Sequence, residues 1–176
     1  MIFENLSLKG SCLLKLEKHL DERGFFARTF CSKEFEEKGL NNKFLQSSIS
    51  YNSKKGTLRG MHYQVAPHEE VKLVQCVKGA IYDVIIDLRA NSSTYCQWVG
   101  VELNEDNGNL VYVPKGFAHG FQTLTDETVV YYQISDFYAP ESARGVRWDD
   151  PAFGINWPID EPVISIKDSR LPDYKR

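Results

Sequence analysis

No stretch of this chain approaches the ~18 apolar residues of a membrane-spanning helix. Its opening Met1-Ile2-Phe3-Glu4-Asn5 joins no charged leader to an apolar run, so neither a membrane anchor nor a signal peptide is expected. Cysteine is sparse. Cys12, Cys31, Cys76 and Cys96 stand far apart with no Cys-x-x-Cys pair, which argues against a disulfide framework or a zinc site. Free thiols in a reducing, cytoplasmic compartment are the expectation. Excess positive charge is missing too: a net charge of −3 gives no electrostatic case for nucleic acid. Lys54-Lys55 and Lys175-Arg176 read as solvated surface. There is no internal repeat, low-complexity segment or linker, and 176 residues suit a single domain over 1–176 that buries its own core.

What is present is β-forming. Leu73–Val77, Ile81–Leu88, Trp98–Leu103, Leu110–Val113, Gly120–Leu124 and Thr128–Ile134 are short runs rich in β-branched and aromatic residues. Turn formers separate them at Lys78-Gly79, Ala90 to Ser93, Asn104 to Asn109 and Asp126-Glu127. Regular spacing of this kind predicts an all-β sandwich or barrel. One helix is expected over 32–38, capped by Ser32, with Glu34 at its positive end and Gly39 ending it. Prolines at 140, 151, 158, 162 and 172 exclude a long helix after Ala139 and predict extended segments and short turns laid over the barrel.

The chemistry concentrates around Leu58-Arg59-Gly60-Met61-His62-Tyr63-Gln64 and the nearby Lys72. A histidine between two cations supplies a neutral proton acceptor and fixed positive charge. That equipment suits removal of a proton beside a carbonyl from an anionic substrate. Later, Pro114-Lys115-Gly116-Phe117-Ala118-His119-Gly120-Phe121 and the Tyr131-Tyr132 pair add a second imidazole and a phenol. By strand alternation the two tyrosines face opposite ways, so only one enters a barrel mouth. Asp83 and Asp87 lie on an otherwise apolar strand, either as structural groups or as supports for a site.

Six blocks occur in order: Asp21-Glu22-Arg23-Gly24-Phe25-Phe26, Leu58 to Gln64, Lys72-Leu73-Val74, Gly116 to Phe121, Trp148-Asp149-Asp150-Pro151 and Ser165-Ile166-Lys167-Asp168. Together they resemble the dTDP-4-dehydrorhamnose 3,5-epimerase family from about Asp21 to Asp168. The resemblance implies an all-β, cupin-type jelly-roll barrel with a short helix near 32–38 and irregular C-terminal segments. The activity it implies is epimerisation at carbon 3, carbon 5 or both of a nucleotide-diphosphate 4-keto-6-deoxy sugar, in deoxysugar supply. It implies His62 as base with Asp168 as its carboxylate partner, Lys72 beside the keto oxygen and Tyr132 as proton donor. Arg23, Arg59 and Lys167 are implied as substrate-binding cations, Gln46, Ser48 and His119 as substrate ligands, and Tyr138 as the ring that stacks on the base, with Phe137 one residue away. No metal or redox cofactor is expected, because an enolate route needs neither. A homodimer exchanging N-terminal strands is implied, with Arg23 entering the neighbouring site.

Three positions depart from the family pattern: Arg28 and Ala143 replace glutamates, and Ser48 replaces asparagine. These changes leave the proposed base and acid untouched and leave thymidine, cytidine and guanosine open as the nucleotide. Rival readings are a nucleotide-sugar 3,4-ketoisomerase, a non-catalytic sugar-binding domain and a metal-dependent cupin. The last needs something like His-x-His plus a glutamate, and position 64 is glutamine.

Overall fold

Two faces of different character run along each strand, and they decide how the sheets stack. The computed structural model describes residues 1–175; Arg176, read above as surface, lies outside the described residues. The chain opens with β1 (Ile2–Asn5), β2 (Cys12–Lys15), β3 (His19–Asp21), β4 (Gly24–Phe26), helix α1 (Ser32–Glu37) and β5 (Gln46–Asn52). Its middle holds β6 (Thr57–Gln64), β7 (Lys72–Lys78), β8 (Ala80–Asp87), β9 (Trp98–Asn104), β10 (Leu110–Val113), β11 (Phe117–Thr123) and β12 (Thr128–Ile134). Then come β13 (Ala143–Gly145), β14 (Val163–Ile164) and the short α2 (Ile166–Ser169). One sheet has the order β1-β2-β10-β7-β12-β5 and the other β13-β6-β11-β8-β9, with β14 parallel on β6. β3 and β4 form a hairpin of their own. The expected jelly-roll barrel is the fold. No helix among the described residues is long and apolar enough to cross a membrane.

Alternation builds three apolar layers. Val74, Cys76, Ile81, Ile85, Phe121 and Val130 meet between the sheets. On the outer face of the first sheet, Leu14, Leu73 and Leu110 pack against Phe35 of α1. Phe35 is fully buried, so its loss to alanine would cost about 3–5 kcal/mol. The outer face of the second sheet presents Met61, Val84 and Ile86 to Phe153, Trp157 and Tyr174 of the C-terminal segment.

Most expected strands are present with ends shifted by a residue or so, but three differences are informative. The strand expected from Gly120 starts at Phe117, because Gly116, at φ +77°, makes the turn before it. Ser32 does not cap α1. Cys31 is extended and occupies the cap position without a side-chain hydrogen bond, leaving Ser32 as the first helical residue. β5 was not expected, because its pattern is inverted: Ile49 and Tyr51 are exposed while Gln46 and Ser48 face a cavity.

A bulge shapes β6. His119 pairs with His62 and Phe121 with Arg59, so three steps on β6 answer two on β11. At the crossing, a Cβ on Gly60 would stand 2.6 Å from the Gly120 Cα, and Gly60 has φ +141°. Only glycine fits both constraints. Cross-strand partners share a face, so the extra residue turns Arg59 and His62 to the same side.

Candidate active site

That shared side opens into a cavity of about 840 Å³ lined from both sheets. The second sheet contributes Arg59, His62 and Gln64 from β6 and His119 from β11. Facing them, the first sheet supplies Gln46 and Ser48 from β5, Lys72 from β7 and Tyr132 from β12. The C-terminal segment closes one side with Lys167, Asp168 and Leu171. The imidazole of His62 and the phenol of Tyr132 therefore stand on opposing walls.

His62 Nε2 lies 2.8 Å from Asp168 Oδ1. The carboxylate is buried, and its Oδ2 accepts the Gly60 N–H at 3.3 Å. Ser165 fixes the approach by capping α2, its Oγ accepting the Asp168 N–H at 3.1 Å. Burial alone would raise the Asp168 carboxyl. The His62 hydrogen bond and charge, the Gly60 N–H and Lys167 outweigh it and hold the carboxyl below its usual range. An ionised Asp168 can only accept, so Nε2 is the donor of this hydrogen bond and Nδ1 stands outside it.

Lys72 Nζ sits 3.0 Å from Glu70 Oε1 and 3.5 Å from the His62 carbonyl. On the neighbouring strand, burial pushes the Tyr132 phenol upward, the Asp83 charge adds to this, and Arg59 partly offsets it. Tyr132 meets His119 edge to face, with ring centroids 6.1 Å apart. His119 Nε2 in turn lies 2.7 Å from Asp83 Oδ2. Sequence alone left the two strand aspartates unresolved, and they part company here. Asp83 is buried behind His119, whereas Asp87 holds the loop through Arg89, Ser92 and Thr94.

Arg59 reaches the cavity with its Nε donating to Asn52 Oδ1 at 2.7 Å. Tyr138, not Phe137, lines the rim, and its N–H donates to Gln46 Oε1 at 2.9 Å. Arg23 is different. It lies on the β3–β4 turn, paired with Asp21 and 84% exposed, and the cavity of its own chain does not include it. The hairpin that carries Arg23 pairs with neither main sheet. Of the three departures, Ser48 and Ala143 border the cavity, with Arg144 beside them. Arg28 lies elsewhere, paired with Glu34.

Sequence reasoning did not assign Glu70, which reaches Lys72, or the backing role of Asp83. Asp83 shares a strand face with Ile81 and Ile85, which is a signal, but its meeting with His119 depends on a register the sequence does not display. Among the described residues no cluster of three His, Cys, Asp or Glu is placed to hold a metal.

The family model described as dTDP-4-dehydrorhamnose 3,5-epimerase matches residues 5–176. A protein of that name from Sinorhizobium fredii is 43% identical over 173 residues, covering 98% of this chain and 89% of the relative. The crystal structure of the dTDP-4-dehydrorhamnose 3,5-epimerase of Elizabethkingia anophelis superposes with a TM-score of 0.96 at 40% identity, covering 99% of this chain and 96% of that one. A dTDP-6-deoxy-D-glucose-3,5-epimerase from Legionella pneumophila, solved with dTDP-4-keto-L-rhamnose, gives a TM-score of 0.90 at 37% identity, with 99% of each chain covered. Likeness of this depth along the whole length, on top of the shared barrel, makes the chain a member of the dTDP-4-dehydrorhamnose 3,5-epimerase family.

Proposed function

We propose that this chain inverts carbon 3, carbon 5 or both in a nucleotide-diphosphate-linked 4-keto-6-deoxyhexose. The carrying observation is a His–Asp pair and a phenol on opposing walls of one cavity, with a lysine between the sheets. A C–H bond beside the 4-ketone is acidic because the carbonyl takes up the charge as an enolate. His62 Nδ1 accepts that proton, and Asp168 stabilises the imidazolium that forms. The Lys72 ammonium stabilises the developing oxyanion, and His119, held by Asp83, adds a second polar contact at the sugar. Tyr132 then donates its proton to the opposite face of the enolate carbon, leaving a phenolate that solvent reprotonates. Its upward-shifted phenol keeps that proton through the neutral range.

The rest of the cavity addresses the nucleotide. Arg59 and Lys167 neutralise the diphosphate, Tyr138 stacks on the base, and Gln46 and Ser48 hydrogen-bond beside it. Arg23 joins the diphosphate contacts from a second copy, in a homodimer that exchanges N-terminal strands. Exposed Leu20, Phe25 and Phe26 on the hairpin carrying Arg23 support that assembly. The four free thiols favour a cytoplasmic setting.

The test is incubation with thymidine-, cytidine- and guanosine-linked 4-keto sugars in heavy water, followed by NMR. Wild-type protein should incorporate deuterium at carbon 3 or 5 with the ketone still at carbon 4. His62→Ala should reduce incorporation by at least about 10²–10⁴-fold. Tyr132→Phe should permit exchange while losing inversion. A Tyr132→Phe protein that inverts normally would remove the phenol from the mechanism, and migration of the ketone would mean an isomerase.

A further inference from the structure

The Lys72 ammonium is not simply displayed to the cavity. Its partner Glu70 is as enclosed as Lys72 itself, each side chain 11% exposed. The second oxygen of Glu70 accepts a hydrogen bond from Gln64 Nε2 at 3.0 Å. Gln64 is buried at 4% exposure and grips the Tyr138 loop from both sides. Its Nε2 donates to the Phe137 carbonyl at 3.2 Å, and its Oε1 accepts the Ala139 N–H at 2.7 Å. The amide orientation is thereby fixed, because three acceptors face its nitrogen (His68 O is the third, at 2.9 Å) and one donor faces its oxygen. An unbroken hydrogen-bonded chain runs from the exposed Tyr138 loop inward through Gln64 and Glu70 to Lys72. One end touches the nucleotide side of the cavity and the other the reacting carbonyl.

We propose that Gln64 and Glu70 are positioning residues that couple occupancy of the Tyr138 end to the placement of the Lys72 ammonium. This rests on the nucleotide-sugar reading above. Buried hydrogen-bonded networks transmit small displacements because no partner can move without leaving a polar group unsatisfied. A base stacked on Tyr138 settles the loop, the loop settles the Gln64 amide, and Glu70 then holds one N–H of Lys72 so that another meets the enolate oxygen. Binding energy from the remote nucleotide would thus appear in the chemical step.

The test crosses two substrates with two proteins. The substrates are a nucleoside-diphosphate-linked 4-keto-6-deoxyhexose and the same sugar as its 1-phosphate; the proteins are wild type and Gln64→Leu. Saturating rates of deuterium incorporation are measured for all four pairs. For wild type, the nucleotide sugar should exchange about tenfold faster at saturation than the 1-phosphate. Gln64→Leu should lose most of that advantage, falling about tenfold on the nucleotide sugar and no more than about twofold on the 1-phosphate. Glu70→Gln, which sets an amide N–H against either Lys72 or Gln64, should show the same asymmetry. Equal losses on both substrates would reduce Gln64 to a structural role and overturn the coupling, as would equal saturating rates in wild type. Absence of exchange with every nucleotide sugar in wild type would instead defeat the proposed function itself, a separate outcome.

Discussion

At the scale of single residues, carboxylates divide into those that hold the scaffold and those that serve the cavity. Asp87 is fully buried. Burial alone would raise its carboxyl, but hydrogen bonds from Arg89, Ser92 and Thr94 outweigh this and bring it to about 2. A folded value below the unfolded one means stabilisation that is complete above about pH 4 and vanishes as pH falls through about 2. From that shift the charged form contributes about 2 kcal/mol. Asp87→Asn should therefore be less stable by about that amount at pH 7, with the gap closing toward pH 2 in urea titrations. A gap independent of pH would show that the charge contributes nothing. His62 was legible from sequence because cations flank it closely in the chain. Asp168, Asp83 and Glu70 were much less so. Asp168 came only through family likeness, because 106 residues separate it from His62 and only the finished fold brings them together.

Among elements, the C-terminal segment is the one on which the proposed chemistry leans most. It carries Asp168 and Lys167 yet belongs to neither sheet's main path. β14 pins it alongside β6, the Arg147 N–H donates to the Pro172 carbonyl at 3.0 Å, and Leu171 packs over Gly145. A Cβ at Gly145 would lie 2.7 Å from Leu171 Cδ1 and 2.9 Å from the Met61 carbonyl. Gly145→Ala should thus lift Leu171 and loosen α2. Deuterium incorporation should fall about tenfold, with a melting temperature only a few degrees lower, as expected for roughly 1 kcal/mol. Unaltered incorporation would mean that Leu171 does not help to seat Asp168. Prolines announced this region as extended segments and turns, and it is so apart from the four-residue α2, which was not expected. The inward polar face of β5 defeated the usual reading of strands, because a cavity-lining strand places its polar side where a core strand places its apolar one.

For the whole molecule, the question is whether one chain completes a site. The exposed apolar hairpin and the position of Arg23 predict a dimer in solution by light scattering. Mixing offers a sharper measurement. Arg23→Ala and His62→Ala proteins, each impaired alone, should recover activity when their subunits are exchanged, because one site in each hybrid then has both residues intact. No recovery after verified exchange would place Arg23 outside the neighbouring site. The hairpin's independence from the main sheets does not follow from periodicity, which speaks only of one strand at a time.

The surplus residue between Arg59 and His62 carries a further consequence. Strict pleating would send positions 59 and 62 in opposite directions, so the guanidinium and the imidazole face one cavity only because the bulge makes three steps count as two. Spacing, as well as chemical character, is what this stretch must keep: one further residue inserted there would turn the Arg59 guanidinium outward while leaving every functional group in the sequence.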